Sequence, residues 1–382
     1  MIARLWIPLL VVLLWGLSCD PKVTGPNHEP TSDGSSQVHT ESAPPEATPE
    51  PNLPEPQPEP MVAEPQPEPN LPEPQPEPTL PEPQPEPQPE APPEPAFGFI
   101  AIGDTGTGSS TQKNVAMAIQ QKCQTEKTKG RSCDFGILLG DNFYDVGVKD
   151  ENDPQFKTKF ADMYHPLGFP WYITQGNHDY GALGAGLEVW KTDHYIRYGK
   201  KDPLYVFPDK YFAFTKQHAL FVSLNTTELF FDIGESDQTK FVRDSLQNNK
   251  AATWRLAFGH HPYVSNGEHG NAGEYEALPI PLPYVSGRLI KKFMEAEICG
   301  KFDIYFCGHD HNRQILQAKC GTQFIVSGAG AKSDSWGKGK KNPVHWQSDQ
   351  VGFMFIYVKG RTLTVEALDE NGTLEFSKTY TK

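Results

Sequence analysis

The chain has 382 residues, with 37 Pro, 33 Gly, six Cys and a formal net charge of −14. The charge is uneven: across residues 20–96, Asp20, Asp33 and fourteen Glu against Lys22 give −15, and with Arg4 ahead of them the last 286 residues balance to zero. A neutral C-terminal region of 286 residues carries no basic stripe for nucleic acid, and at that size it buries roughly 75% of its surface without needing a disulfide framework.

Residues 1–18 read as a signal peptide: Arg4, an apolar run from Leu5 to Leu17, and the small residues Gly16 and Ser18 before Cys19. The run is shorter than the about 20 residues of a membrane-spanning helix and contains Pro8. A cysteine directly after the cleavage point resembles a bacterial lipoprotein signal, which implies lipidation of Cys19 and a membrane anchor; plain cleavage after Ser18 is the alternative. Residues 19–96 hold 26 of the 37 prolines, and residues 52–87 are four consecutive nonapeptides of the NLPEPQPEP type. Alternating Pro removes backbone donors and the Glu residues repel one another, so this segment is expected to be a disordered, extended spacer. At about 3.1 Å per residue, forty to fifty such residues would reach on the order of 140 Å.

From Phe97 onward, short β-rich runs alternate with helical patterns, the layout of a layered α/β domain over residues 97–382. Five predicted strands end in polar runs. Phe97–Ile102 leads into Gly103-Asp104-Thr105-Gly106, Phe135–Leu139 into Gly140-Asp141-Asn142-Phe143-Tyr144, and Trp171–Thr174 into Gly176-Asn177-His178-Asp179. Trp254–Phe258 leads into Gly259-His260-His261-Pro262, and Phe302–Cys307 into Gly308-His309-Asp310-His311. Strand ends along one sheet edge converge, so five such loops can build one crevice. The stripes Phe156, Phe160, Met163 and Leu289, Ile290, Phe293, Met294 recur at helical spacing and read as core faces. Each motif alone is weak, since a lone histidine is more often structural than a ligand. Two Asp, one Tyr, one Asn and three His at successive strand ends together make a metal site the stronger reading.

The ordered set GDTG, GDNFY, GNHD, GHHP and GHDH resembles the purple acid phosphatases, specifically the small single-domain kind that includes mammalian tartrate-resistant acid phosphatase, within the calcineurin-like metallophosphoesterases. The likeness extends to Gly147-Val148, Pro170-Trp171-Tyr172 and Ser327-Gly328-Ala329-Gly330, and spans Phe97–Lys382. Tyr144, three residues after Asp141, is its most specific mark. The resemblance implies a four-layer α/β/β/α sandwich and a binuclear centre. Asp104, Tyr144 and His311 would hold Fe(III), Asn177, His260 and His309 a divalent ion (Fe, Zn or Mn), and Asp141 would bridge the two. A tyrosinate on Fe(III) would colour the protein purple, and the net positive charge of such a site favours a phosphate group. The implied reaction is hydrolysis of phosphate monoesters, on a phosphorylated small molecule or phosphoprotein, by attack of a metal-bound hydroxide at acidic to neutral pH. His178 and His269 are the two candidates for protonating the leaving group. His261 stands where the family usually has Tyr, and Thr105 where it usually has an aromatic residue.

Two readings compete. The same fold could cleave phosphodiesters or pyrophosphate, decided by loops such as 270–284 and 331–347; less favoured, a stalked surface protein could carry a retired enzyme domain, against which the intact seven-residue set argues. His165, His194, His218 and His345 match no motif. Asn225-Thr226-Thr227 and Asn371-Gly372-Thr373 are sequons, relevant to a eukaryotic source. With Cys19 set aside, five cysteines remain, an odd number. Cys307, inside a strand, is expected to be a buried thiol, with Cys123–Cys133 and Cys299–Cys320 as candidate bridges.

Overall fold

A computed structural model describes residues 94–275, 286–337 and 342–382. The expected signal peptide, Cys19, the Pro/Glu repeats and residues 276–285 and 338–341 lie outside the described residues. No helix among the described residues is long and apolar enough to cross a membrane.

Two seven-stranded sheets carry the domain. The first contains β1 (Ala96–Ile102), β2 (Phe135–Leu139), β3 (Trp171–Thr174), β4 (Tyr205–Val206), β12 (Gly352–Lys359), β13 (Thr362–Asp369) and β14 (Leu374–Thr381) in the order β14-β13-β12-β1-β2-β3-β4. The second contains β5 (Phe212–Lys216), β6 (Ala219–Ser223), β7 (Trp254–Phe258), β8 (Ile304–Cys307), β9 (Arg313–Leu316), β10 (Gln323–Ser327) and β11 (Val344–Ser348) in the order β11-β9-β10-β8-β7-β6-β5. β1–β4 run parallel in the first sheet, and β6, β7, β8 and β10 run parallel in the second. Parallel strands of this kind are covered on both faces and read as unbroken apolar runs, as FGILL and IYFC do here.

The sheets face each other across an aromatic core. Phe99 and Phe135 stack at 5.1 Å between centroids, and Phe221 of β6 meets both rings edge-on at 5.3 Å. Phe306 of β8 meets Phe99 at 5.8 Å. Such offset and edge-to-face pairs add to the gain from burial itself. Outside the first sheet lies α1 (Ser110–Thr128), whose N-cap Ser109 accepts the Gln112 N–H at 3.3 Å and which buries Val115 and Ile119. Outside the second lie α2 (Glu235–Asn248) and α3 (Arg288–Phe293), which bury Val242, Ile290 and Phe293 against Leu220, Tyr305 and Val326. This is the α/β/β/α order that the family resemblance implied. Both apolar stripes face inward, with Phe156, Phe160, Ile290, Phe293 and Met294 buried and Met163 and Leu289 half-buried at their margins.

At the carboxyl ends of the parallel strands the two sheets are tied together. Gly103 N donates to Ser327 O at 2.7 Å and Ser327 Oγ to Ala101 O at 2.9 Å, joining β1 to β10. The bridges Cys123–Cys133 and Cys299–Cys320 are formed and Cys307 remains a buried thiol. Asn225 is buried, accepting from Glu228 N at 3.0 Å and donating to Tyr180 Oη at 2.6 Å. The first sequon is therefore a structural cap, closed to a glycan in the folded chain.

Candidate metal centre

The five motifs meet where the parallel strands end. Asp104 follows β1, Asp141 and Tyr144 follow β2, Asn177 and His178 follow β3, His260 follows β7, and His309 and His311 follow β8. Asp104, Asp141 and His309 have positive φ, 58°, 52° and 71°, a conformation that non-glycine residues adopt at a cost and keep where a site requires it. Their glycine neighbours make room. A Cβ at Gly140 would lie 2.5 Å from His260 Nδ1, and one at Gly176 would lie 2.1 Å from Asp141 Oδ1.

Two clusters result. In one, Tyr144 Oη lies 3.1 Å from Asp104 Oδ1 and 3.0 Å from His311 Nε2. In the other, His260 Nε2 lies 2.9 Å from Asn177 Oδ1 and 3.1 Å from His309 Nδ1. Asp141 stands between them, with Oδ1 3.5 Å from His260 Nε2 and accepting the His178 N–H at 2.9 Å. Carboxylate oxygens of Asp104 and Asp141 and a ring nitrogen of His260 all fall within 4.8 Å of one another. All seven ligand candidates are thus brought together.

This donor set fits cations. His260 Nδ1 donates to Leu139 O at 2.8 Å, so when the ring is neutral its lone pair is at Nε2; Asn177 Nδ2 donates to Gly184 O at 2.8 Å, so its Oδ1 faces that nitrogen. Two acceptors 2.9 Å apart repel unless a positive charge sits beside both. With metal–donor bonds of about 2.0–2.2 Å, donors at right angles lie about 3 Å apart, the spacing seen in both clusters. Two imidazole nitrogens and an amide oxygen on one side, and a carboxylate, a phenol and a single imidazole on the other, suit a pair of ions of unequal hardness.

The electrostatics agree. Burial, then the charges of Asp104 and Asp141, push the Tyr144 phenol well above its ordinary range, so it ionises only beside a strong cation. Burial raises the Asp141 carboxyl, but His260 and His178 outweigh it and bring it down to about 2. Burial lowers His311, yet hydrogen bonds to Asp104 and Asp334 carry it up to about 10, a proton occupying the place a metal would take. Burial, followed by the neighbouring histidines, holds His309 well below the ordinary imidazole range.

His178 and His269 flank the centre. The His178 ring lies 4.5 Å from that of Tyr144, and its Nδ1 donates to Asp145 O at 2.8 Å. The His269 ring stacks on His309 at 4.0 Å, and the His269 backbone N–H donates to Asp310 Oδ1 at 2.8 Å. His261 is buried with Nδ1 2.9 Å from Thr226 Oγ1, and burial first, then His260, keeps its pKa well below the ordinary range. Thr105 is buried, and a Cβ at Gly330 would meet its methyl at 2.5 Å. The unassigned histidines sit elsewhere: His165 pairs with Asp202 at 2.8 Å and His218 with Gly360 O at 2.8 Å.

Sequence reasoning missed the supporting groups. Asp334 takes His311 Nδ1, orienting the ring as carboxylates behind metal-bound histidines do. Asp179, whose carboxyl is raised to about 7 by burial and then by Asp141, receives N–H bonds from Asn142 and Phe143 at 3.0 and 3.1 Å and from Gly176 at 2.9 Å, bolting the β2 loop to the β3 loop. The available signal was the Asp directly after GNH. Asp334 had none, because its loop carries no Gly-His or Gly-Asp pattern.

The chain belongs to the calcineurin-like phosphoesterase family, which it matches over residues 97–313. It is a metallophosphoesterase of the purple acid phosphatase kind. It is 30% identical over 309 residues to Purple acid phosphatase 3 of Arabidopsis thaliana, covering 74% of this chain and 77% of that protein. It is 28% identical over 296 residues to Tartrate-resistant acid phosphatase type 5 of Homo sapiens, covering 73% and 89%. Among solved structures it shares the fold of "GAP50 the anchor in the inner membrane complex of Plasmodium" with a TM-score of 0.58 at 21% identity, covering 75% and 89%.

Proposed function

We propose that the protein is an acid phosphatase that hydrolyses phosphate monoesters at a binuclear centre, with Asp104, Tyr144 and His311 holding Fe(III), Asn177, His260 and His309 holding Fe, Zn or Mn, and Asp141 shared. The observation that carries this reading is the convergence of seven donors from five strand ends into two clusters with one carboxylate between them. When bound, such a pair of ions supplies Lewis acidity toward a phosphoryl group and an acidified water as nucleophile. The chain's own residues do the rest. The positive-φ loops fix the donors, Asp334 and Leu139 O set the tautomers of His311 and His260, and Asp179 ties two loops in register. His178 and His269 each stand beside a ligand ring, placed to hold a proton for the leaving alkoxide.

The substrate in this reading is a phosphorylated small molecule or phosphoprotein, with no part for nucleic acid as a partner. Export by residues 1–18 and lipidation at Cys19 would tether the domain to a membrane through the Pro/Glu spacer. Rates on matched panels of monoesters and diesters test the substrate class; a diester preference contradicts it. Replacing the proton donor, His178→Ala or His269→Ala, should slow alkyl phosphates about 100-fold and aryl phosphates much less, since only the poor leaving group needs the proton. Equal losses on both substrates from both variants would remove the general-acid role.

A further inference from the structure

The loop after β10 reaches the metal centre and carries a cation that the functional reading leaves unused. The loop is clamped twice. Gly330 N donates to Gly103 O at 3.1 Å, beside Asp104, and Asp334 N donates to His311 O at 2.9 Å. Lys332 lies between the clamps, two residues from each, with its Nζ 3.4 Å from the centroid of the Tyr144 ring. Nearby Lys159 is engaged, donating to Tyr144 O at 2.6 Å and Gln155 Oε1 at 2.7 Å. Lys332 has no hydrogen-bond or ion-pair partner among the described residues. Its ammonium lies over the phenol whose oxygen belongs to the Asp104 cluster, within electrostatic reach of Asp334 and Lys159.

A cation over an aromatic ring is often no more than a packing contact. Here the ring is a candidate metal ligand, the backbone on both sides is pinned to other ligand loops, and the ammonium keeps donors for something else. A lysine presents three N–H groups as a mobile point charge, suited to a phosphate oxygen. The same phenol ring has the His178 ring 4.5 Å away, so the ammonium and an imidazole both stand against Tyr144.

We propose that Lys332 is a specificity-determining residue whose ammonium takes a phosphoryl oxygen of the bound substrate, so that a terminal phosphate with two negative charges is preferred over a diester with one. The inference rests on the phosphoesterase reading of the centre. It is tested with the metal-loaded full chain and the variants Lys332→Met, similar in length without charge, and Lys332→Arg. Inorganic phosphate binding is measured by calorimetry, alongside metal content and the ratio of kcat/KM for a monoester to that for a diester. In Lys332→Met, phosphate should bind about ten-fold more weakly at unchanged metal content, the size expected for one partly exposed charged hydrogen bond. Monoester KM should rise while diester hydrolysis falls less, and Lys332→Arg should restore most of the phosphate affinity. Unchanged phosphate affinity in Lys332→Met overturns the proposal. So does loss of metal, or an equal fall on both esters, either of which would make Lys332 a prop for Tyr144. A wild-type chain that holds no metal and cleaves neither ester instead fails the functional reading and takes this inference with it.

Discussion

The two halves of the centre are built from opposite electrostatic materials. The Asn177, His260 and His309 half is buried, offers neutral donors, and holds His309 well below its ordinary pKa. The Asp104, Tyr144 and His311 half collects acidic groups, Asp334 included, and raises His311 to about 10. Burial acts against the charged form of His311 and His309 alike, so the opposite outcomes come from what stands beside each ring: two carboxylates at one, other histidines at the other. A strongly charged ion is stabilised most where the anions are gathered, and a divalent ion tolerates the neutral pocket. The sheet architecture makes this sorting possible, because each half draws loops from both sheets while Asp141 faces both.

The comparison breaks most completely if the shared carboxylate is removed. Asp141→Ala should lower activity by at least about a thousand-fold and deplete metal in both halves, read by steady-state rates and metal analysis. Retention of one full half would show that the clusters are independent. Asp334→Asn should weaken only the Asp104 half, by about ten- to a hundred-fold in metal affinity, as loss of a ligand's orienting partner does elsewhere. Competitive chelator titration reads this, and equal weakening of both metals would deny that Asp334 acts through His311.

The metal-free domain should respond to pH in opposite senses at its two halves. His311, raised from 6.5 to about 10, contributes stability that is fully present below pH 6.5 and is lost as pH climbs toward 10. His309 and His261, both lowered, contribute stability that is present above pH 6.5 and lost as pH falls below it, because the unfolded chain then binds more protons. Tm of the chelated protein should therefore decline on both sides of neutrality, and His311→Gln should flatten only the alkaline limb. The smallest effect is expected at Cys307. Its thiol is buried and pushed up by burial, with Asp310 and Asp104 adding to the shift, so it should resist thiol reagents in the native state and react on unfolding.

Much of the centre was legible in the sequence because its donors obey a local rule: a buried apolar strand, a glycine that permits close approach, then a ligand. Asp104, Asp141, Asn177, His260 and His309 all follow that rule, and Tyr144 and His311 ride on the same loops. The layered α/β character was legible for a related reason, since strands covered on both faces show as continuous apolar runs, while the four-layer sandwich followed from the family resemblance. The supporting groups are long-range contacts with no such mark. Asp334 is 23 residues from His311, and Asn142 is 37 from Asp179, so nothing local pairs them. Asn225 shows the converse: a sequon by pattern, it is a buried helix cap by packing.

The most direct test is the visible absorption spectrum of the purified, metal-loaded protein, recorded with metal content beside that of Tyr144→Phe. Two metals per chain, one of them iron, with a purple band that Tyr144→Phe abolishes, is the result expected of an Asp104, Tyr144 and His311 half that holds Fe(III). A colourless wild type with two metals, or a band that survives in Tyr144→Phe, would contradict it.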